Sequence, residues 1–200
     1  MKRFLPIALV AAFCSLPALA DPNPGMGPAR GEKMPQAVQP DATNAFFIEG
    51  GGPGLLYSLN YERLLEQEYG LRIGFSYQSF SATASGGGST ASASATIITV
   101  PVIASYQGLR AGNHVLELGA GGTAIYASGS ASGTGMAANG SGMTAVGTAI
   151  IGYRRQPLNG GFQFRIGLEA LVGKGLALSN PDPNSWGVLP WMYLSLGFSL

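Results

Sequence analysis

Gly187-Val188-Leu189-Pro190-Trp191-Met192-Tyr193-Leu194-Ser195-Leu196-Gly197-Phe198-Ser199-Leu200 is the stretch on which the reading of the fold turns. From Met192 it alternates without a break. Met192, Leu194, Leu196, Phe198 and Leu200 share one side, and Tyr193, Ser195, Gly197 and Ser199 share the other. Strict period two predicts a strand with two unlike faces.

Working back from it, seven more segments carry the same period. Asn44–Gly50 sets Phe46 and Ile48 against Phe47 and Glu49, and Leu55–Arg63 sets Tyr57, Leu59 and Tyr61 against Ser58, Asn60 and Glu62. Leu71–Phe80 sets Leu71, Ile73, Phe75 and Tyr77 against Arg72, Gly74, Ser76 and Gln78. Thr96–Tyr106 contains Pro101, which has no N–H to give a ladder, so a bulge or a locally broken pair is expected there. His114–Tyr126 opposes Leu116, Leu118 and Ala120 to Glu117, Gly119 and Gly121. In Met143–Arg154 the adjacent Ile150 and Ile151 leave the phase open. Phe162–Val172 opposes Phe162, Phe164, Ile166 and Leu168 to Gln163, Arg165, Gly167 and Glu169.

The connections fall into two alternating sets. Leu64–Gly70, Gln107–Asn113 and Arg155–Gly161 are short. Ser81–Ala95, Ala127–Gly142 and Gly173–Trp186 are mostly longer and rich in Gly, Ser and Ala, and read as loops; Gly51-Gly52-Pro53-Gly54 is the short, tight turn of that second set. Arg72-Ile73-Gly74-Phe75, Glu117-Leu118-Gly119-Ala120 and Arg165-Ile166-Gly167-Leu168 repeat one pattern in every second strand. Aromatics gather near strand ends: Tyr61, Tyr69, Tyr106, Tyr153 and Phe162 at one, Tyr77, Tyr126, Trp186 and Trp191 at the other. Two girdles with short turns on one side and longer loops on the other are the layout of a transmembrane barrel.

The N-terminus supports export. Met1-Lys2-Arg3, an apolar run from Phe4 to Phe13, and Ala18-Leu19-Ala20 predict a signal peptide over residues 1–20, cleaved after Ala20. Cys14, the only cysteine, lies inside it, so the mature chain has no disulfide and no thiolate. Residues 21–43, with Pro22, Pro24, Pro28, Pro35 and Pro40, read as a flexible periplasmic tail, and 44–200 as the barrel. Charged residues are 10% of the chain and glycines number 31. Soluble domains carry roughly 25% charge and about half that share of glycine. No basic field is present to hold nucleic acid.

On these residues the chain resembles the small bacterial outer-membrane β-barrel proteins, the OmpA/OmpX-like eight-stranded barrels. The resemblance rests on strand number, loop asymmetry and the final strand. Apolar residues at Leu200, Phe198, Leu196 and Leu194 resemble the C-terminal signal read by the barrel-assembly machinery, with the departure that such chains usually end on Phe or Trp. The expectation is an all-β fold: an eight-stranded antiparallel up-and-down transmembrane β-barrel in the bacterial outer membrane. Its partners would be outer-membrane lipid and the assembly machinery, with no nucleic acid, and the protein a monomer.

In that barrel the small set of residues faces inward. Glu49, Glu62, Arg72, Glu117, Arg165 and Glu169 then form a lumen charge cluster whose role is structural, because eight strands leave a lumen filled by side chains. Glu117 is expected to bridge Arg72 and Arg165. No catalytic, cofactor or metal residues are assigned. Gly119-Ala120-Gly121-Gly122-Thr123-Ala124 has dinucleotide-fingerprint spacing but lies within a strand with no helix after it. Gly86-Gly87-Gly88-Ser89 lacks the lysine of a phosphate loop, and His114, the only histidine, reads as a turn or rim residue. The function expected is a non-enzymatic barrel with a filled lumen and a structural or surface-interaction role. A narrow passive channel and a soluble, secreted ligand-binding barrel are the alternatives.

Overall fold

The structure, a computed structural model, describes residues 40–87, 89–133, 136–176 and 184–200. The expected signal peptide and most of the tail lie outside the described residues. Eight strands follow in order: β1 (Asn44–Gly51), β2 (Tyr57–Leu65), β3 (Tyr69–Gly86), β4 (Ser89–Ala111), β5 (His114–Gly133), β6 (Met136–Arg155), β7 (Gly161–Lys174) and β8 (Trp186–Ser199). Each pairs antiparallel with the next, and β8 pairs back onto β1 from Ala45↔Ser199 to Gly51↔Tyr193, so the barrel is closed. Closure leaves no strand edge along that shared length, the condition for a sheet to sit in lipid.

The two faces separate by polarity. Outward residues include Phe46, Ile48, Leu59, Ile73, Phe75, Leu168, Leu194, Leu196 and Phe198, all exposed. Inward residues include Glu49, Ser58, Glu62, Arg72, Thr99, Gln107, Gln163 and Ser195, all buried. A soluble ligand-binding barrel has the opposite arrangement. A surface of this kind is stable where lipid replaces water. On β5 the apolar outward run from Leu116 to Tyr126 covers ten residue steps, about 25 Å once tilted by about 40°. Rings pair across strands at the end that holds the short turns: Phe46 with Tyr61 at 5.0 Å, Tyr69 with Tyr106 at 5.5 Å, and Phe162 with Phe198 at 5.9 Å.

Two sequence expectations change. The described residues of the Gly/Ser/Ala stretches 81–95 and 127–142 are strand rather than loop, apart from a turn at Gly87. They extend β3, β4, β5 and β6 into a four-stranded sheet that stands beyond the barrel, with Gly86 paired to Ser89 and Gly133 paired to Met136 at its tips. Their side chains are too small to show the hydropathic alternation that marks a strand, yet their backbones pair fully. Ser92 and Ser132 hydrogen-bond across the ladder at 2.8 Å, as do Ser94 and Ser130 at 2.9 Å. The polarity also inverts in this sheet. The rung Tyr77↔Ile98↔Tyr126↔Met143 is the last apolar one on the outward face; the next outward rung is Ser79↔Thr96↔Ser128↔Ser141. The side that continues the lumen face now carries Ala82, Ala93, Ala131 and Ala138. That switch marks where the apolar band ends.

The second change concerns the tail. Pro40–Thr43 is not free: the Asp41 amide donates to Leu158 O at 2.9 Å and the Thr43 carbonyl accepts from Leu64 N at 2.7 Å. The last residues of the tail are thus tied to the turn end by backbone hydrogen bonds. Pro101 behaves as its missing N–H requires. The β3–β4 ladder passes from Ile73↔Val102 to Ser76↔Thr99 with no pair opposite Pro101, while the register shift in β4 lies at Tyr106–Leu109.

Candidate functional site: the closed lumen

All six charged residues singled out in the sequence point into the lumen and are buried: Glu49, Glu62, Arg72, Glu117, Arg165 and Glu169. A seventh, Arg154 on β6, joins them at 0% exposure. The phase of β6 is set by Ile150 inward and Ile151 outward, which sends Arg154 in and Arg155 out. The sequence carried a signal for this. Tyr153 belongs to the outward girdle, so its neighbour Arg154 must face the lumen.

The ion pairs are specific. Arg154 holds Glu62 through two contacts, Nη1 to Oε1 at 2.5 Å and Nη2 to Oε2 at 2.8 Å. β2 and β6 stand four strands apart in a ring of eight, so this pair spans the lumen from wall to wall. Arg165 donates to Glu117 from Nε at 3.0 Å and from Nη2 at 2.6 Å. Glu117 also lies 3.5 Å from Arg154 Nε. Arg72 pairs with Glu49 at 2.8 Å instead. The expected Arg72–Glu117–Arg165 bridge is therefore replaced by Arg154–Glu117–Arg165. Forked guanidinium–carboxylate contacts fix both partners in orientation as well as position.

Neutral groups complete the layer. Gln107 donates to Glu62 at 3.1 Å and accepts from Arg154 at 2.8 Å. The Arg165 guanidinium carbon lies 4.5 Å from the centre of the Phe47 ring and 5.7 Å from that of Tyr193. Tyr193 fits because Gly152 and Gly167 face its hydroxyl; a Cβ at either would collide with it. Ile103, Ile150 and Tyr193 form an apolar cluster in the same lumen. Glu169 is the carboxylate without an arginine of its own, and neither of its oxygens has a hydrogen-bond partner among the described residues.

A second closure lies at the other end of the lumen. The β1–β2 connection does not project away from the barrel. Gly52, Pro53 and Gly54 form a buried 3-10 turn folded inward. Positive φ at Gly51 (70°) and Gly52 (72°) lets the backbone reverse there, and a Cβ on Gly52 would strike the Glu49 carboxylate. Side chains from the facing walls hold the turn. Gln78 donates to Gly54 O at 2.9 Å, Thr99 to the same oxygen at 3.4 Å, and Thr123 to Pro53 O at 3.0 Å. His114 is not in the lumen. It sits exposed at the turn end, its Nδ1 2.7 Å from the Tyr153 hydroxyl.

Fold and lumen together define a class: a small eight-stranded β-barrel of the outer-membrane kind, apolar outside and crossed inside by ion pairs. No protein-family model matches the chain, and no curated protein matches it. Among solved structures the chain is similar to Ail, the attachment invasion locus protein of Yersinia pestis. The identity is 13% and the TM-score 0.44, over 79% of this chain and 97% of that one. It is also similar to CarO2 of Acinetobacter baumannii, at 15% identity and a TM-score of 0.36, over 80% of this chain and 98% of that one.

Proposed function

We propose that the protein is a non-enzymatic β-barrel of the bacterial outer membrane, exported with cleavage after Ala20, with a closed lumen and a structural or surface-interaction role. The observation that carries this reading is the Glu62–Arg154 pair across the full width of the barrel, beneath an inward turn held from three strands. A lumen tied from wall to wall leaves the outer surface and the projecting sheet as the parts that meet other molecules. Lipid is the partner of the apolar band, and the assembly machinery reads the C-terminal strand. The protein works as a monomer and holds no nucleic acid. A narrow passive channel is the second reading, favoured by the Glu169 oxygens, which have no hydrogen-bond partner among the described residues.

Membrane fractionation with a heat-modifiability gel tests the location: the protein should be in the outer-membrane fraction and run faster unheated than boiled. Sidedness follows from the same reading. The β3–β4 tip is outside the cell and the β2–β3 turn periplasmic. The cysteine-free mature chain permits a direct check. Ser89→Cys should react with an impermeant maleimide on intact cells, and Gln67→Cys should react only after lysis. The reverse pattern would invert the topology.

A further inference from the structure

The barrel wall is uneven. β3 to β6 have 18 to 23 residues each, whereas β1 has 8 and β2 has 9. β8 therefore outruns its neighbour: its register with β1 stops at Gly51↔Tyr193, and Trp186–Met192 has no β1 partner. The gap is patched by side chains. The Trp191 indole donates to Leu55 O at 3.3 Å, and on the far side of the β1–β2 hairpin the Tyr57 hydroxyl donates to Tyr77 O. At the foot of this gap, on the lipid-facing surface, runs an apolar furrow of about 900 Å³. Ile166, Leu168, Pro190, Met192 and Leu194 line it, and Gly50 leaves it open on the β1 side. Gly50 points outward, and a Cβ there would meet nothing closer than Leu194 O at 3.9 Å.

We infer that this furrow is a binding site for one amphipathic lipid, its acyl chain in the furrow and its polar head against the β8 edge that runs past the end of β1. The inference rests on the membrane reading above. Two independent features call for the two halves of one molecule. The furrow is apolar and lies on the lipid-facing band, and its volume is within the range of small-molecule sites. The adjoining β8 edge, Trp186–Met192, has no β1 partner among the described residues, and a backbone group left there without a protein partner takes a polar one at the membrane boundary. Both tryptophans of the chain, Trp186 and Trp191, bracket that edge, and tryptophan favours the headgroup level. A glycerol or headgroup oxygen at that depth can meet the edge while its own chain runs down the furrow.

The test is native mass spectrometry of the folded protein released from detergent micelles, with 1-palmitoyl-2-oleoyl phosphatidylethanolamine as the probe. The wild type should take up one lipid saturably. Gly50→Phe fills the furrow and should weaken that uptake by about tenfold. Val102→Phe, on the opposite wall, should leave it unchanged. If Gly50→Phe loses its heat-modifiable fold, Met192→Ala, which removes one wall of the furrow, should weaken uptake in its place. Non-saturating uptake, or equal uptake by the furrow variants and Val102→Phe, overturns the site. A wild type that fails to fractionate with outer membranes would instead overturn the membrane reading, so the two failures are distinguishable.

Discussion

Glu62→Ala should lower the unfolding free energy by about 3–5 kcal/mol, the loss expected when one partner of a buried ion pair is removed. Glu62 receives two hydrogen bonds from Arg154 and one from Gln107, and all three residues are buried. Alanine would leave the Arg154 guanidinium without the carboxylate that fixes its fork, in a site closed to water by the barrel wall. Urea titration in detergent micelles, followed by tryptophan fluorescence, reads the change directly. The companion double variant separates charge from packing. Glu62→Leu with Arg154→Leu removes both charges at once, and such replacements of buried pairs are often neutral or stabilising. The double variant should therefore be more stable than Glu62→Ala, even though it lacks more of the network.

Glu117→Ala should be comparably costly, at about 3–5 kcal/mol, because Arg165 would lose both of its short contacts and Arg154 its second, more distant carboxylate. A double-mutant cycle identifies the partners. Glu117→Ala should couple strongly to Arg165→Ala. It should couple less to Arg72→Ala than to Arg165→Ala, because Arg72 is held by Glu49 and makes no hydrogen bond to Glu117. Strong coupling between positions 117 and 72 would restore the bridge that strand phase alone suggests and contradict the geometry.

That difference shows what strand phase can and cannot convey. Alternation in β2, β3, β5 and β7 is enough to turn Glu62, Arg72, Glu117, Arg165 and Glu169 to one side, because each has at least one apolar or aromatic neighbour in the outward phase. Which carboxylate meets which guanidinium depends on stagger between strands, and no single strand carries that information. Arg154 was obscured by the Ile150-Ile151 doublet, where alternation breaks, although Tyr153 beside it belongs to the girdle. The inward turn at Gly52–Gly54 was legible only as a turn. Its direction is set by Gln78, Thr99 and Thr123 on three other strands. The projecting sheet was hidden for another reason. In Ser81–Ala95 and Ala127–Gly142 the two faces differ by methyl against hydroxyl, too small a contrast for periodicity to register, and Gly and Ser suggest loop by composition. Where side chains are large the fold was readable; where they are small, or where the outcome depends on stagger, it was not.

The projecting sheet also limits what the barrel presents. Its outward face is hydroxyl-rich and its other face is alanine-rich. No Asp, Glu, Lys or Arg occurs between Arg72 and Arg110 or between Glu117 and Arg154. The projecting sheet is therefore uncharged, and any contact it makes relies on shape and hydrogen bonds rather than on electrostatic steering.

Single-channel recording in a planar bilayer tests the central claim, that the lumen is closed. With the Glu62–Arg154 pair across its width and the Gly52–Gly54 turn above it, the wild type should insert without sustained conductance at either polarity. Steady conductance in the wild type, with ion selectivity that changes in Glu117→Ala while the unfolding midpoint does not, would contradict the account. The buried carboxylates would then line a pore rather than hold it shut.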